Sequence, residues 1–325
     1  LINSNIRKNF KKKIKVPKVI NSKIVNIVEK KFGFNLTTDQ LKAINDINKD
    51  ISSKERMFRL LQGDVGSGKT IVSLISAQNI ILNGYQVAFM APTEILAKQH
   101  YNLYKRVFGN NASVDFLTGK TDYKKKRDIL NKLENKKIKI IFGTHALFQK
   151  KIKFKKLGLI VVDEQHKFGV NQRKKLSEKG GSNCDVLVMS ATPIPRTMMM
   201  TLYGDMDITL IKSKPKNRKD IKTYTKDVNK INDVINYIKN EITNNNQIFW
   251  VCPLIEESKK IDHQSSILRY EFLKKIFKDQ VGLVHGSLDK IDKENILNKF
   301  LHNEIKVLVS TTVIEVGIDF PNATC

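Results

Sequence analysis

The chain has 325 residues, with 58 lysines and arginines against 32 aspartates and glutamates, which gives a formal net charge of +26. A content of 41% hydrophobic and 28% charged residues is typical of a globular protein and excludes a fully disordered chain. No apolar stretch reaches the roughly 18 residues that a membrane span requires, and no secretory signal opens the sequence, so we expect no membrane partner. Its cysteines, Cys184, Cys252 and Cys325, are too far apart for a disulfide framework or a paired zinc knuckle. We therefore expect a reducing, cytoplasmic compartment.

The positive charge leaves two interpretations open. Only 9 of the 58 basic residues are arginine, so a lysine-rich solvated surface accounts for the charge as well as a dedicated patch for a polyanion does. The composition permits binding to nucleic acid but does not establish it.

The chain opens with a basic segment, residues 1–31, which we predict to be a helical connector. Its apolar residues at helical spacing favour a packing helix with a solvated basic face; they are Ile20, Ile24, Ile27 and Val28. From residue 32 onward, short apolar strands alternate with amphipathic helices, a pattern typical of a parallel sheet with helices on both faces. The predicted strands are Met57–Leu61, Gln86–Met90, Ser113–Leu117, Ile138–Phe142, Leu157–Val162 and Asp185–Met189, and the predicted helices are Thr70–Leu82, Glu94–Phe108, Tyr123–Leu133 and Asn171–Glu178.

A polar, basic segment over residues 212–219 is predicted to be a linker, and the alternation resumes after it. The predicted helices of this second part are Asn229–Ile242, Ser266–Phe277 and Lys290–Phe300, and its predicted strands are Gln247–Cys252, Val281–His285 and Lys306–Ser310. The pattern predicts one α/β lobe over residues 32–211 and a second over residues 212–325. We expect the second sheet to be unfinished, with an unpaired edge or apolar face near Val307–Val309.

The strongest motif is a phosphate loop. The run Gly63-Asp64-Val65-Gly66-Ser67-Gly68-Lys69-Thr70 fits the pattern G-x-x-x-x-G-K-[ST]. Its glycines let backbone amides close around phosphate oxygens, Lys69 would reach the β and γ phosphates, and the Thr70 hydroxyl would hold Mg²⁺. The loop follows an apolar strand and opens an amphipathic helix, whose N-terminus adds to the anion site. This context disfavours the alternative, a glycine-rich turn without a ligand.

A pair of carboxylates, Asp163 and Glu164, follows the apolar strand residues 159–162. At the carboxyl edge of a sheet, Asp163 would lie opposite the phosphate loop and hold Mg²⁺. Glu164 would then orient or deprotonate the attacking water. Two solvated acids at an ordinary strand end are the alternative, which the phosphate loop upstream disfavours.

A third box, residues 190–197, also follows an apolar strand and contains small hydroxyl residues. Such residues at a strand end can form hydrogen bonds across a cleft. A plain turn from strand to helix explains the prolines of this box equally well, so the residues alone do not decide between the two.

Taken together, these boxes resemble those of superfamily 2 helicases, and the RecG-type ATP-dependent DNA helicases in particular. The matching segments cover residues 36–40, 63–70, 91–100, 143–147, 162–170, 191–197, 250–258 and 310–319. The resemblance implies an α/β fold of two RecA-like P-loop lobes with parallel sheets, the second incomplete, that hydrolyses ATP with Mg²⁺. It also implies a monomer that moves on duplex DNA and remodels branched DNA without reading its base sequence.

The resemblance assigns roles residue by residue. Catalytic roles fall to Lys69, Asp163, Glu164, Gln165 and His166. Adenine recognition falls to Gln40 with Phe34 upstream, although a buried residue of the lobe explains Phe34 as well as stacking does. Gly317 and Asp319 complete the nucleotide site from the second lobe. Contacts with the DNA backbone fall to Thr93, Gly119, Lys120, Thr144, His145, Thr311 and Thr312. Coupling of hydrolysis to movement falls to Ser190, Ala191, Thr192 and Glu315.

Two departures from the family pattern and three alternatives accompany this assignment. Lys167 stands where the family usually has an arginine, and we interpret the chain as a fragment without the wedge domain and without the arginine-rich box of the second lobe. We therefore expect slow ATP hydrolysis. A transcription-repair coupling factor shares this motor, although Gln165 and Val316 favour the RecG type. A non-catalytic fragment that binds nucleotide and DNA is the second alternative, and a small-molecule P-loop kinase, disfavoured by the second lobe, is the third.

Overall fold

The computed structural model describes residues 14–109, 113–149, 151–163, 181, 183–192, 206–213, 221–252, 259–311 and 320–325. The chain divides into two compact units, Leu1–Arg218 and Lys219–Cys325, called here the first and second unit. The predicted helix Asn171–Glu178 lies outside the described residues. Within the described ranges, no helix combines the length and the apolar character needed to cross a bilayer.

The first unit alternates helices with strands along the chain. Its helices are α1 (Lys23–Phe32), α2 (Thr38–Ser52), α3 (Lys69–Leu82), α4 (Glu94–Phe108) and α5 (Tyr123–Glu134). Its strands are β1 (Phe58–Gly63), β2 (Gln86–Met90), β3 (Val114–Leu117), β4 (Ile140–Gly143), β5 (Leu157–Val162), β6 (Asp185–Ser190) and β7 (Asp207–Ile211). The six strands predicted for this lobe are therefore confirmed within two residues at each end, whereas α2 and β7 were not predicted.

All seven strands form one parallel sheet in the order β3-β4-β2-β5-β6-β1-β7. Every residue of β2, β5 and β6 is buried, because helices cover both faces of a parallel sheet. Phe89 and Phe142 pack into the core on one face, and Met90 and Ile141 pack into the core on the other. Since the strands are parallel, the loops that follow them all emerge at the same edge, which we call the carboxyl edge.

The beginning of the chain belongs to the first unit. Helix α1 packs Ile24 and Val28 into its core, which agrees with a packing helix. Lys15 and Lys18 are buried as well, and the Nζ atom of each lies 2.6 Å from a carboxylate oxygen of Asp185. The prediction that the basic side chains of this segment are solvated is therefore wrong at these two positions, because both ammonium groups pair with the buried carboxylate of Asp185 at the start of β6.

The second unit contains helices α6 (Ile231–Thr243), α7 (Lys259–Phe277) and α8 (Lys290–Leu301) and strands β8 (Ile248–Val251), β9 (Val281–Val284) and β10 (Val307–Ser310). These strands form a parallel sheet in the order β8-β10-β9. The prediction of an unpaired edge or apolar face near Val307–Val309 is wrong, because β10 is the central strand and these three residues are fully buried. Beyond β8, the Phe249 amide donates to the Cys325 carbonyl at 2.8 Å, so the last residues of the chain extend this sheet.

Candidate nucleotide and nucleic-acid site

The phosphate loop connects β1 to α3 at the carboxyl edge of the first unit. Gly66 and Gly68 adopt left-handed φ angles of 78° and 90°, which glycine tolerates at little cost. Helix α3 begins at Lys69, whose buried ammonium donates to the carbonyl oxygens of Gly63 at 2.6 Å and Asp64 at 3.0 Å. The positive charge is thus held inside the loop, at the N-terminus of α3, where the helix dipole also favours an anion.

Gln40 supports this loop from behind. Its Oε1 accepts from the Thr37 amide at 2.8 Å, and Thr37 Oγ1 accepts from the Gln40 amide, which forms a capping box at the start of α2. Gln40 Nε2 donates to the Ser67 carbonyl at 2.8 Å. Because both ends of the amide are engaged and the residue is buried, pairing with adenine would require these bonds to open. Phe34 is half-buried, with its ring 5.3 Å from the ring of Phe32.

The start of α2 also holds the segment that leaves β7. Asp39 Oδ2 accepts from the amides of Lys212 at 2.9 Å and Ser213 at 2.8 Å. These two hydrogen bonds lower the pKa of the Asp39 carboxyl, and the bond from Ser213 has the larger effect. The Ser213 hydroxyl donates to Thr37 Oγ1 at 2.9 Å. One helix N-terminus therefore contacts both the phosphate loop and the first residues of the predicted linker.

Asp163 directly follows β5 and is buried. Its amide donates to the Met90 carbonyl at 2.8 Å, and its Oδ2 accepts from His100 Nε2 at 2.7 Å. Only β6 separates β5 from β1, so the ends of these strands lie about 10 Å apart. The structure thus brings Asp163 to the same edge as Lys69, as predicted.

The residues present fit a magnesium ion. The carboxylate of Asp163 and the hydroxyl of Thr70 are the oxygen ligands that Mg²⁺ prefers, and this ion typically combines one or two protein ligands with phosphate oxygens and water. Among the described residues, no group of three His, Cys, Asp or Glu side chains could hold a metal alone. When bound, the ion would neutralise charge on the phosphates.

The Ser-Ala-Thr box lies next to the phosphate loop. Ser190 ends β6, and its Oγ lies 2.9 Å from Thr192 Oγ1, while Ala191 lines a cavity of about 390 Å³ that also borders the loop. Gln62 of β1 stands beside Ser190 in register, and its Nε2 donates to the Thr192 carbonyl at 2.8 Å. The sequence had not singled out Gln62, which joins this box to the strand that carries the loop.

The residues predicted to contact DNA in the first unit follow three neighbouring strands. Thr93 follows β2, Gly119 and Lys120 follow β3, and Thr144 and His145 follow β4. Gly119, Lys120 and His145 are exposed. Thr93 is the N-cap of α4, where its Oγ1 accepts from the Leu96 amide at 3.3 Å. Exposed polar groups and a helix N-terminus are groups that contact phosphates.

Several predicted site residues lie outside the described part of the chain. They are Glu164, Gln165, His166, Thr312, Glu315, Gly317 and Asp319. Thr311 is described and directly follows β10 of the second unit. Its Oγ1 is buried and has no hydrogen-bond partner among the described residues.

The carboxyl edge of the first unit therefore has two halves. The sequence predicts the Mg²⁺-binding Asp163 after β5, coupling residues after β6 and the phosphate loop after β1. It predicts DNA-binding residues after β3, β4 and β2, and the sheet order keeps each set of three strands together. Strands β2 and β5 are neighbours at the border. His100, which lies on α4 after β2, crosses this border to Asp163. The sequence placed it in a matching box without a role, although a histidine two turns after the N-cap of an amphipathic helix was a visible signal.

This fold and this site define a P-loop NTPase with two α/β units. Residues 37–201 match the DEAD/DEAH box helicase family and residues 229–325 match the helicase conserved C-terminal domain. The first match alone covers half of the chain, and the chain belongs to the DEAD/DEAH box helicases.

Within that family, the chain is similar to RecG. It is 45% identical over 298 residues to the ATP-dependent DNA helicase RecG of Bacillus subtilis, a match that covers 91% of this chain and 44% of that protein. It is 44% identical over 321 residues to RecG of Thermotoga maritima, covering 98% of this chain and 41% of the relative. The chain thus spans less than half the length of these relatives.

A solved structure of RecG bound to a three-way DNA junction superposes with a TM-score of 0.84 at 40% identity, over 99% of this chain and 42% of that chain. The predicted resemblance to RecG-type helicases and the two RecA-like lobes are confirmed by these matches. The helicase Mss116p bound to single-stranded RNA and AMP-PNP has a TM-score of 0.64 at 22% identity, over 95% of this chain and 70% of that chain, and shares the fold.

Proposed function

We propose that the chain is the motor of an ATP-dependent DNA translocase that moves on duplex DNA and remodels branched DNA during recombination and repair. The observation that carries this proposal is the arrangement of one sheet edge. The Lys69 loop and Asp163 lie on one half of it, and the loops predicted to contact DNA lie on the adjacent half. The similarity to RecG, a structure of which is bound to a three-way DNA junction, supports branched DNA as the substrate.

The division of labour at the nucleotide follows from the chemistry of each group. Lys69 neutralises the β and γ phosphates, and Thr70 and Asp163 hold Mg²⁺. Glu164 orients the attacking water and accepts its proton, and Gln165 and His166 pass the state of the nucleotide to the DNA-binding loops. Gln40 keeps the loop in shape through Ser67, and to read adenine together with Phe34 its amide first releases the bonds to Thr37 and Ser67.

The proposed contacts with DNA are made to its phosphates. Helix N-termini, hydroxyls and lysines hold the backbone without reading bases, and a translocase needs such contacts at every step. We infer a monomer that works in the cytoplasm without a membrane partner. Its affinity for DNA falls steeply with salt and differs little between two unrelated duplexes.

The test is ATP hydrolysis with and without a synthetic three-way junction. Lys69→Ala should abolish hydrolysis and weaken nucleotide binding, because the loop loses its ammonium. Lys132→Ala, which removes an exposed lysine of α5 paired with Asp128, is the matched control and should hydrolyse ATP as the parent chain does. Equal rates for Lys69→Ala and the parent chain, or no binding of ATP by the parent chain, would contradict the proposal.

A further inference from the structure

A buried hydrogen bond joins the two halves of the carboxyl edge. His100 Nε2 lies 2.7 Å from Asp163 Oδ2, and both side chains are less than 10% exposed. A carboxylate can only accept, so the imidazole donates this bond. The ring is held in turn by Phe89, whose ring centroid lies 4.9 Å away.

This bond fixes the carboxylate that is proposed to hold Mg²⁺. Because Oδ2 already accepts from His100, Oδ1 would be the more available oxygen for the ion, and rotation of the carboxylate about its axis is opposed. Partners in the second layer around a metal ligand commonly orient it in this way, and their loss costs about 10–100-fold in metal affinity or activity.

The same bond ties the carboxylate to a helix with a different predicted partner. His100 stands seven residues after Thr93, the N-cap of α4, which corresponds to two helical turns or about 10 Å along the axis. Helix α4 is a rigid element between these points. A displacement of its N-terminus by a bound phosphate would therefore be transmitted to Asp163 through a single hydrogen bond.

We propose that His100 is a positioning residue for the Mg²⁺-binding carboxylate of Asp163, and that through α4 it makes the metal affinity of the nucleotide site depend on bound DNA. The proposal deepens the proposed function and rests on it. No proton transfer by His100 is involved, since the residue acts as a fixed hydrogen-bond donor.

The chain allows matched substitutions at this position. In His100→Gln, the amide nitrogen takes nearly the place of Nε2 and can donate to Asp163. In His100→Asn, the amide is polar but too short to reach the carboxylate, and His100→Leu fills the space without a donor.

The readout is binding of a fluorescent, non-hydrolysable ATP analogue at increasing Mg²⁺ concentration. We expect the Mg²⁺ concentration for half-maximal binding to rise about 10-fold or more in the Leu and Asn variants and to stay within about 3-fold of the parent value in His100→Gln. Metal-free binding of the analogue should be the same in all four proteins. A three-way junction should lower the required Mg²⁺ concentration for the parent chain and for His100→Gln only.

The outcomes separate the two levels of the proposal. If the parent chain does not bind the analogue with Mg²⁺, the proposed function fails. If the parent chain binds it and His100→Asn and His100→Leu need the same Mg²⁺ concentration as the parent, the role of His100 is overturned. The Asn variant keeps this test valid if an apolar side chain prevents folding, and an equal shift in His100→Gln and His100→Asn would also reject the role.

Discussion

Gln86 and Gln247 make the same pair of hydrogen bonds in the two separate sheets. Gln86 Nε2 donates to the carbonyls of Leu133 and Ile138 at 2.9 and 2.8 Å, and Gln247 Nε2 donates to those of Phe300 and Ile305 at 2.5 and 2.7 Å. Both glutamines are buried, Gln86 as the first residue of β2 and Gln247 directly before β8. In both cases the two carbonyls are five residues apart, one in the last turn of a helix and the other two residues before the neighbouring strand.

The turns spanned by these bonds are also alike. Lys136 and Asn303 adopt left-handed φ angles of 60° and 65° within them. An amide side chain that captures two carbonyls at such a turn satisfies groups that a helix end leaves without an intrahelical partner. The two α/β units therefore share this local structure, including one buried glutamine side chain.

The first prediction follows from this repeat. Gln247→Leu should destabilise the second unit by about 1–3 kcal/mol, because the Phe300 and Ile305 carbonyls lose the donor that Gln247 supplies. Among the described residues, only the Phe300 carbonyl of this pair keeps a backbone donor, the Asn303 amide at 3.0 Å. Trp250, the single tryptophan, lies in β8, so its fluorescence should change at a lower denaturant concentration. The matched variant Gln86→Leu should leave the Trp250 transition in place and destabilise the first unit. A shift of the Trp250 transition in both variants would contradict independent unfolding of the two units.

The second prediction concerns the phosphate loop. A Cβ atom at Gly68 would clash with Gln40 Nε2, and the backbone there is left-handed with a φ of 90°. Gly68→Ala should therefore cost about 1–2 kcal/mol for the backbone and about 1 kcal/mol for the Gln40–Ser67 hydrogen bond.

Nucleotide affinity should fall about tenfold in Gly68→Ala if that bond supports the loop by the corresponding 1.4 kcal/mol. Gly33→Ala is the control, since Gly33 has a φ of 73° and, beyond its own two chain neighbours, no heavy atom of the described residues lies within 4 Å of the position that an alanine methyl group would take there. It should show the backbone cost alone, with unchanged nucleotide binding. Equal nucleotide affinities in the two variants would show that Gln40 does not support the loop.

The sequence predicted the elements that have strong local signals. Strands β2, β5 and β6 each contain an unbroken run of four apolar residues, and the Gly63–Thr70 loop has its own spacing. Strand β7 was missed because it is a short edge strand with Ile208 and Leu210 partly exposed, and its pairing with β1 joins residues far apart in the chain. Its register partner is visible only in the folded sheet.

The candidate site shows the same limit. The phosphate loop and Asp163 follow from local patterns, whereas the partners of Asp163 and Gln40 depend on tertiary packing. Lys15 and Lys18 belong to a segment whose composition predicts solvation, and only the folded chain brings Asp185 to them. An unpaired edge or apolar face was expected near Val307–Val309 because the second sheet was taken to be unfinished, although the last strand of a parallel sheet can lie in its middle, as β10 does here.

The third prediction concerns thiol reactivity. Cys184 is fully buried, and burial together with the nearby Asp185 raises the pKa of its thiol to about 12, so almost no thiolate exists at pH 8. Cys325 is exposed and should react first with an aromatic disulfide reagent. In a Cys252→Ser/Cys325→Ser background, the rate of Cys184 labelling should track unfolding of the first unit. Rapid labelling in the native protein would contradict the burial of β6.

The last prediction tests the ion pairs of Lys15 and Lys18 with Asp185. Asp185→Asn keeps an oxygen for the Met57 amide, which donates to Oδ1 at 2.9 Å, but leaves two buried ammonium groups without a counter-charge. Loss of one partner from a buried pair typically costs about 3–5 kcal/mol, which denaturant unfolding monitored by Cys184 labelling should detect. Asp128→Asn, at a surface pair with Lys132, should cost less than about 1 kcal/mol.

The stability lost in Asp185→Asn should also depend on pH, and the loss should become smaller as the pH rises. Burial already lowers the pKa of Lys15, and loss of the Asp185 charge lowers it further. The folded variant then binds fewer protons than its unfolded chain, so its stability rises with pH toward the unfolded lysine pKa. The difference in the free energy of unfolding between this variant and the parent chain should therefore narrow between neutral pH and about pH 10.

Adding Lys15→Met and Lys18→Met to Asp185→Asn should restore most of the lost stability at neutral pH, because no charge then remains buried. A constant deficit across this range, or no restoration in the triple variant, would show that the cost arises from packing around Asp185 and not from the two lysine charges.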